Sequence, residues 1–556
     1  MNDTRRFRFL GILSVACFLL FASLSSQSTA KAEDETPPSI LWITCEDMSP
    51  HLGCYGDHTV ATPNIDRLAA EGVRYTKAFG TYGVCAPNRH TIIMGMYPVS
   101  TGAMAMRTWK RTGALHMIKD PELLAIPTYE ATPPAEAHCF PEYLQAAGYY
   151  CTNNSKTDYQ FDNPIAAWNE SSRTAHYRNR PDPDQPFFAV FNNTTTHESG
   201  VFKQRSPQVV DPNEVPLPPF YPDTEIVRRD VARHYDNIVA MDEWVGKILK
   251  DLEKDGLLEK TIIFFYSDHG DGLPRHKRWV YDSGIHVPLI VRFPHKKEAG
   301  TVNDELVSFV DLAPTVLSLA GVDIPKHFQG QAFLGPEKVD PRDYIYACRD
   351  RMDPAPETIR AVRDSRYKYI RNYRPDLPYL GFVPYRNQQA IMQEILHMVE
   401  SGDHQPNMWQ FWAEKKPLEE LYDTQNDPHE IHNLAADPAH FQKLAELRDA
   451  HEAWTKKTGD LGHITEDELI VHLWPPEGKQ PTTKPTKFEV TEAADGKFRI
   501  SLSSKTEGAS IAYQLPKEKT WHLYLKPFEV ESGTKLKAKA HRLGWKESEE
   551  TVQSVP

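Results

Sequence analysis

Cys85-Ala86-Pro87-Asn88-Arg89 sets a thiol, a rigid turn former and a fixed cation within one short stretch, and the chain runs on into the apolar Thr91-Ile92-Ile93-Met94. Two readings fit these residues: a buried cysteine opening a helix, or a nucleophile with a cation beside it. Two further groups carry chemistry. Glu46 and Asp47 end the apolar, β-prone run Ser39 to Thr44, and Asp268 and His269 end a second such run, Thr261 to Tyr266. Three carboxylates and one imidazole make a hard, oxygen-rich donor set, which favours Ca²⁺, with Mg²⁺ as the alternative, over a soft transition metal. One acid pair at a strand end would merely be solvated or cap the next helix. Two matching pairs beside a Cys-x-Pro-x-Arg element point to a metal site.

The elements that must deliver these residues alternate along the chain. Apolar strand runs at 39–44 and 261–266 alternate with helical spacing, as at Ile65, Leu68 and Ala69 before the stop at Gly72 and from Val231 to Leu252, and the pattern recurs at FPEYLQAAGYYC (140–151) and QPFFAVFNN (185–193). Such alternation predicts an α/β fold with a mostly parallel central sheet flanked by helices, whose ligands sit beyond the carboxyl ends of the strands. This catalytic domain is expected over residues 38–340. From 341 to 474 the texture changes to a smaller antiparallel C-terminal subdomain with a closing helix from Phe441 to Thr455. Residues 475–487, PPEGKQPTTKPTK, read as a linker that makes the C-terminal remainder separable. Residues 488–556 alternate at period two and look like a small β-sandwich of fibronectin type III kind.

Arg5, Arg6 and Arg8 precede the apolar run Phe9 to Leu24 and the small-residue pattern Ala30-Lys31-Ala32, so residues 1–32 read as a signal peptide and the protein as exported, periplasmic or extracellular. No later stretch approaches ~20 unbroken apolar residues, so no membrane span is expected after its removal. The formal charge is −13, and the leader takes away more positive than negative charge. An acidic surface argues against nucleic acid and anionic membranes as partners. Any anionic substrate must be held by local cations. The cysteines beyond the leader are sparse and lack CxxC spacing, which excludes a disulfide scaffold.

With these residues in view, the chain resembles the type I sulfatases of the alkaline phosphatase-like superfamily, from about Ile40 to Leu434, and within them the heparan N-sulfatase-like branch. The signature is Cys85-Ala86-Pro87-Asn88-Arg89 followed by Gly95-Met96-Tyr97-Pro98. The resemblance implies that a formylglycine-generating maturation enzyme oxidises Cys85 to formylglycine (3-oxoalanine), whose hydrate offers one hydroxyl to attack sulfur and another to expel sulfate. It implies Glu46, Asp47, Asp268 and His269, with residue 85, as the cation site, and Arg89 as support for the nucleophile. By family spacing Lys156 and Lys277 bind sulfate, with His276 sharing the work of Lys277, and His197 contacts sulfate or protonates the leaving oxygen.

Two departures stand out. Glu46 replaces the family's usual first aspartate, so its longer arm must reach the cation from further back. Asp158 replaces a histidine near sulfate, where a carboxylate suits a sugar hydroxyl or an amine. Arg107 and Trp109, in the insertion from Met104 to Pro134, are candidates to line the sugar pocket. The expected activity is hydrolysis of sulfate esters or sulfamates of carbohydrates. A phosphonate or phosphodiester hydrolase of the same superfamily, and a catalytically inactive glycan-binding protein, are the alternatives.

Overall fold

The computed structural model describes residues 37–108, 118–119, 121–518 and 520–556. The leader read at 1–32, and Trp109, lie outside them. Nine strands form the main sheet: β1 (Ser39–Cys45), β2 (Val73–Phe79), β3 (Tyr150–Asn154), β4 (Glu170–Ser171), β5 (Phe187–Asn193), β6 (Thr261–Ser267), β7 (His286–Arg292), β8 (Thr301–Asn303) and β9 (Val307–Ser308). Their order is β4-β3-β5-β1-β6-β7-β2-β8, with β9 also on β2. β4, β3, β5, β1 and β6 run parallel, and β7 is antiparallel to both neighbours.

The apolar runs are continuous because both faces of the sheet are covered. On β1, Ile40 and Trp42 face one core with Phe140, Leu144, Ile93 and Leu317, whereas Leu41 and Ile43 face the other with Ile65, Leu68, Ile238 and Met241. The helices that close these faces include Pro63–Ala70, Cys85–Met94, Phe140–Ala146 and Leu312–Leu319. The longest, Glu225–Lys254, extends the expected helix at both ends and begins where Thr224 accepts a hydrogen bond from the Val227 amide.

After the main sheet come β10 (Ile345–Arg349), β11 (Ile359–Arg363), β12 (Tyr367–Asn372) and β13 (Glu419–Asp423), an antiparallel sheet in that order. Helix Phe441–Thr458 lays Leu444 and Leu447 on Val362, Tyr369 and Leu421. The last module holds β14 (Lys487–Glu492), β15 (Lys497–Ser503), β16 (Ser510–Gln514), β17 (His522–Leu523), β18 (Phe528–Glu531), β19 (Lys535–His541) and β20 (Thr551–Ser554). They make two small antiparallel sheets, β14-β15-β18 and β17-β16-β19-β20, around Ile500, Leu502, Ile511, Val530 and Leu536. The Pro-rich stretch before them is pinned: Lys546 donates to Pro481 O (2.9 Å) and accepts from the Thr483 amide (2.9 Å). Residues 37–556 form one compact unit.

Candidate active site

β1 and β6 are in register, Cys45 opposite Ser267, so Glu46-Asp47 and Asp268-His269 leave the sheet side by side. The crossing is stitched: Asp268 N donates to Cys45 O (3.1 Å), Asp47 N to Asp268 Oδ1 (3.1 Å), and Met48 N to His269 O (3.0 Å). Asp47 has φ +52°, in the left-handed region that aspartate tolerates better than most residues. Gly272 is required by close approach, since a Cβ there would lie 2.6 Å from Glu198 Cα and 2.8 Å from Asp47 Oδ2.

Cys85 is the first residue of helix Cys85–Met94, fully buried, with Sγ 3.3 Å from His269 Nε2 and 4.0 Å from Asp47 Oδ1. Pro87 costs the helix nothing there, because first-turn amides have no intrahelical acceptor. Arg89, one turn on, donates Nε to Asp268 Oδ2 (3.0 Å) and Nη1 to Asn192 Oδ1 (2.9 Å), and its Nη2 lies 3.5 Å from Glu46 Oε1. Asn88 ties the helix to the loop, accepting from Thr81 N (2.8 Å) and donating to Asp268 O.

Two ammonium groups close the centre. Lys156 Nζ pairs with Glu46 Oε1 and lies 3.5 Å from Asp158 Oδ2; Lys277 Nζ lies 2.6 Å from Asp47 Oδ2 and 3.1 Å from Glu198 Oε1. Burial works against the charged form of Lys277, but Asp47, Cys85 and Glu198 outweigh it and hold the ammonium well above its ordinary range. Burial would raise the Cys85 thiol, yet Lys156, Lys277 and His269 bring it down to about 6. Asp268 and Asp47 likewise outweigh the burial of His269 and push its imidazole above the ordinary histidine range. Ligand atoms of Asp47, Cys85 and His269, and of Glu46, Cys85 and Asp268, lie within 4.8 Å of one another in each set. This oxygen-rich, anionic set fits a hard divalent cation.

Asp158 bonds Arg107 (Oδ2 to Nη2, 3.2 Å), and Lys156 and Arg107 outweigh its burial to hold the carboxyl below the usual range. His197 opens a short turn, with Nδ1 3.0 Å from Ser199 Oγ and its ring 6.1 Å from that of Tyr385. His276 is a correction. Arg275 (φ +61°) and Arg278 (φ +76°) bend the loop so that successive side chains diverge, and His276 faces Asp271 (3.1 Å) together with His51 and His234. It lines a cavity with Tyr55, Tyr221 and His429, while Lys277 turns to Asp47. Sequence reasoning missed Glu198, which receives Arg278 through both carboxylate oxygens (3.0 and 2.8 Å) and whose amide donates to Asp47 Oδ2 (2.7 Å). Its only signal was adjacency to His197. Asn192 carried a comparable signal at the end of β5.

Parallel strands that deliver acids, and a helix that delivers a cysteine and an arginine, to one rim define a hydrolase of alkaline phosphatase-like architecture. The chain belongs to the sulfatase family and is a sulfuric ester hydrolase: the family model described as Sulfatase matches residues 38–322. The model described as N-sulphoglucosamine sulphohydrolase, C-terminal, matches 274–379. An ulvan-active sulfatase of Formosa agariphila is 42% identical over 597 residues, 98% of each chain. The N-sulphoglucosamine sulphohydrolase of Homo sapiens is 26% identical, covering 76% of this chain and 91% of that one. A structure solved with its substrate D-glucosamine-2-N,6-O-disulfate has the same fold, with TM-score 0.53, 19% identity, and coverage of 76% of this chain and 98% of that one.

Proposed function

We propose that the chain is an exported, divalent-cation-dependent sulfatase, matured at Cys85 to formylglycine, that removes sulfate from an ulvan-type polysaccharide. The observation that carries this reading is the position of Cys85, buried at the point where both acid pairs and both lysines converge. The substrate class rests on the relative that matches 98% of the chain and acts, by its name, on ulvan. The N-terminal leader supports export, and among the described residues no helix is long and apolar enough to cross a membrane.

When present, the hydrated aldehyde supplies an oxygen nucleophile, and a cation held by Glu46, Asp47, Asp268 and His269 supplies positive charge toward the sulfate oxygens. The remaining work falls to this chain's side chains. Arg89 fixes Asp268 and Glu46 and supports residue 85. Lys156 and Lys277 hold the sulfate oxygens, where preorganised charge counts for most in a water-poor site. His197 gives a proton to the departing oxygen. Arg107 and Asp158, joined to each other, contact the sugar. A second reading, a sulfamate on an amino sugar, draws on the 274–379 match and on Asp158, which favours a leaving amine that gains a proton.

The test is a side-by-side assay on ulvan fragments, N-sulfoglucosamine, and an aryl sulfate paired with its aryl phosphate, with Asp158→His measured on each. Turnover of ulvan fragments with none of N-sulfoglucosamine supports the first reading. Preference for N-sulfoglucosamine, lost in Asp158→His, establishes the second, and preference for the phosphate removes both.

A further inference from the structure

We infer that the C-terminal module is a positioning element for the sugar side of the active site, acting through residues 130–137. This inference rests on the assignment of Arg107 and Asp158 to the substrate pocket.

Residues 130–137 are gripped from the module. Arg542, buried, donates Nη2 to Pro133 O (2.9 Å) and Nη1 to Pro134 O (3.2 Å). Consecutive prolines have no amide to donate, so their carbonyls are the handles this segment offers. Gly508 (φ +69°) and Gly544 (φ +78°) come so close that a Cβ would meet Ala135 O at 2.0 Å and Thr132 Oγ1 at 2.3 Å. From the chain just before the module, Trp474 Nε1 donates to Gly544 O (3.0 Å) and lies 3.1 Å from Thr132 Oγ1, and Gln480 donates to Glu130 Oε1 (2.8 Å).

The same residues hold the pocket from their other side. Glu130 Oε2 accepts from Asp162 N (2.9 Å), Ala131 N donates to Gln160 O (2.9 Å), and Thr132 N donates to Thr101 O (3.0 Å). Gln160 is itself a buried clasp: Oε1 accepts from Thr108 N (3.3 Å), and Nε2 donates to Ala103 O (3.1 Å) and Ala105 O. Arg107 is therefore held one residue from Thr108, and Asp158 two residues from Gln160. Arg107, Asp158 and Gln160 have φ of +54°, +54° and +66°. That backbone is uncommon for non-glycine residues, an arginine and a glutamine above all, and the contacts around these three help to hold it. The contacts named here run without a break from the module to these residues.

The test uses full-length protein and three variants: Arg542→Ala, Arg542→Lys and, as pocket control, Arg107→Ala. Kinetics are measured on a sulfated ulvan oligosaccharide and on an aryl sulfate, and hydrogen exchange is followed at residues 101–108 and 158–162. We expect Arg542→Ala to raise KM for the oligosaccharide about fivefold while kcat on the aryl sulfate stays within about twofold. Exchange at 158–162 should rise, and Arg542→Lys, which can keep a bond to one carbonyl, should fall between. If Arg107→Ala raises the oligosaccharide KM but Arg542→Ala does not, and exchange rises only within 488–556, the module is merely docked and this inference fails. If neither variant moves KM, the pocket assignment fails and takes the inference with it. An Arg542→Ala protein that loses kcat equally on both substrates also overturns it, because the effect then reaches the nucleophile.

Discussion

Lys277 Nζ lies 2.6 Å from Asp47 Oδ2, and both side chains are buried. A residue assigned to sulfate is thus the charge partner of a residue assigned to the cation, and each holds the other ionised. The two proposed roles share one electrostatic unit, so substitutions in one should register in the other.

Lys277→Ala is expected to lower kcat/KM for any sulfate ester at least about hundredfold, the scale of a lost oxyanion-type donor. In chelator the variant should also be less stable than wild type by about 3 kcal/mol, since Asp47 is left buried without its partner. Added Ca²⁺ should restore most of that stability and none of the activity. Thermal unfolding with and without Ca²⁺ measures the stability and a sulfate ester assay the activity, and an unchanged melting temperature in chelator would contradict the pairing.

Cys85→Ala should abolish turnover and leave the fold intact, at a cost of about 1 kcal/mol for one small buried group. Mass analysis of the peptide spanning Cys85, from protein made in a host able to mature it, should show the aldehyde in place of the thiol. Active protein carrying only the thiol would end the formylglycine reading.

One equivalent of Ca²⁺ or Mg²⁺ is expected, a stoichiometry suited to one cluster of carboxylates and an imidazole. Asp268→Ala should lose the ion and the activity together, and should also free Arg89, whose Nε bonds that carboxylate. Elemental analysis beside the aryl sulfate assay decides the point, and full activity of Asp268→Ala in chelator is the outcome that sinks the site.

His51 lies between Asp57 (2.9 Å) and Asp271 (2.8 Å). Burial opposes its charge, but Asp271 and Asp57 prevail and raise it to about 10. Since the folded value lies above the unfolded one, the stabilisation is complete below about pH 6.5 and is lost as pH rises through 10. Wild type should therefore exceed His51→Gln in melting temperature most at pH 6, with the gap narrowing steadily toward pH 10. A gap that widens with pH would reverse the assignment of charge.

Much of the centre was legible because its parts are local. β1 and β6 read as strands from continuous apolar runs, the signature of a sheet buried on both faces, and their acids follow at once. Cys85 and Arg89 are four apart on one helix, so their spacing alone puts them on one face. Glu198 and Arg278 were not legible, because a pairing between residues so distant in sequence leaves no periodic trace. His276 misled because adjacency means little in a loop bent by two left-handed residues. The Pro-rich run at 475–487 suggested freedom from its composition, whereas its contacts with Lys546 depend on a surface that strand alternation does not describe.

The in-register pairing of β1 with β6 also bears on how such a chain can diversify. Slipping β1 by one residue would exchange Ile40 and Trp42 with Leu41 and Ile43 between the two cores and carry one acid pair away from the other. The two strand-end acid pairs are therefore inherited as a block, intolerant of insertions or deletions within the strands. The segments around Arg107 and Asp158 leave the sheet and can be rewritten without disturbing that register. A lineage descended from this architecture has its freedom in those segments, and very little at the rim where β1 and β6 end.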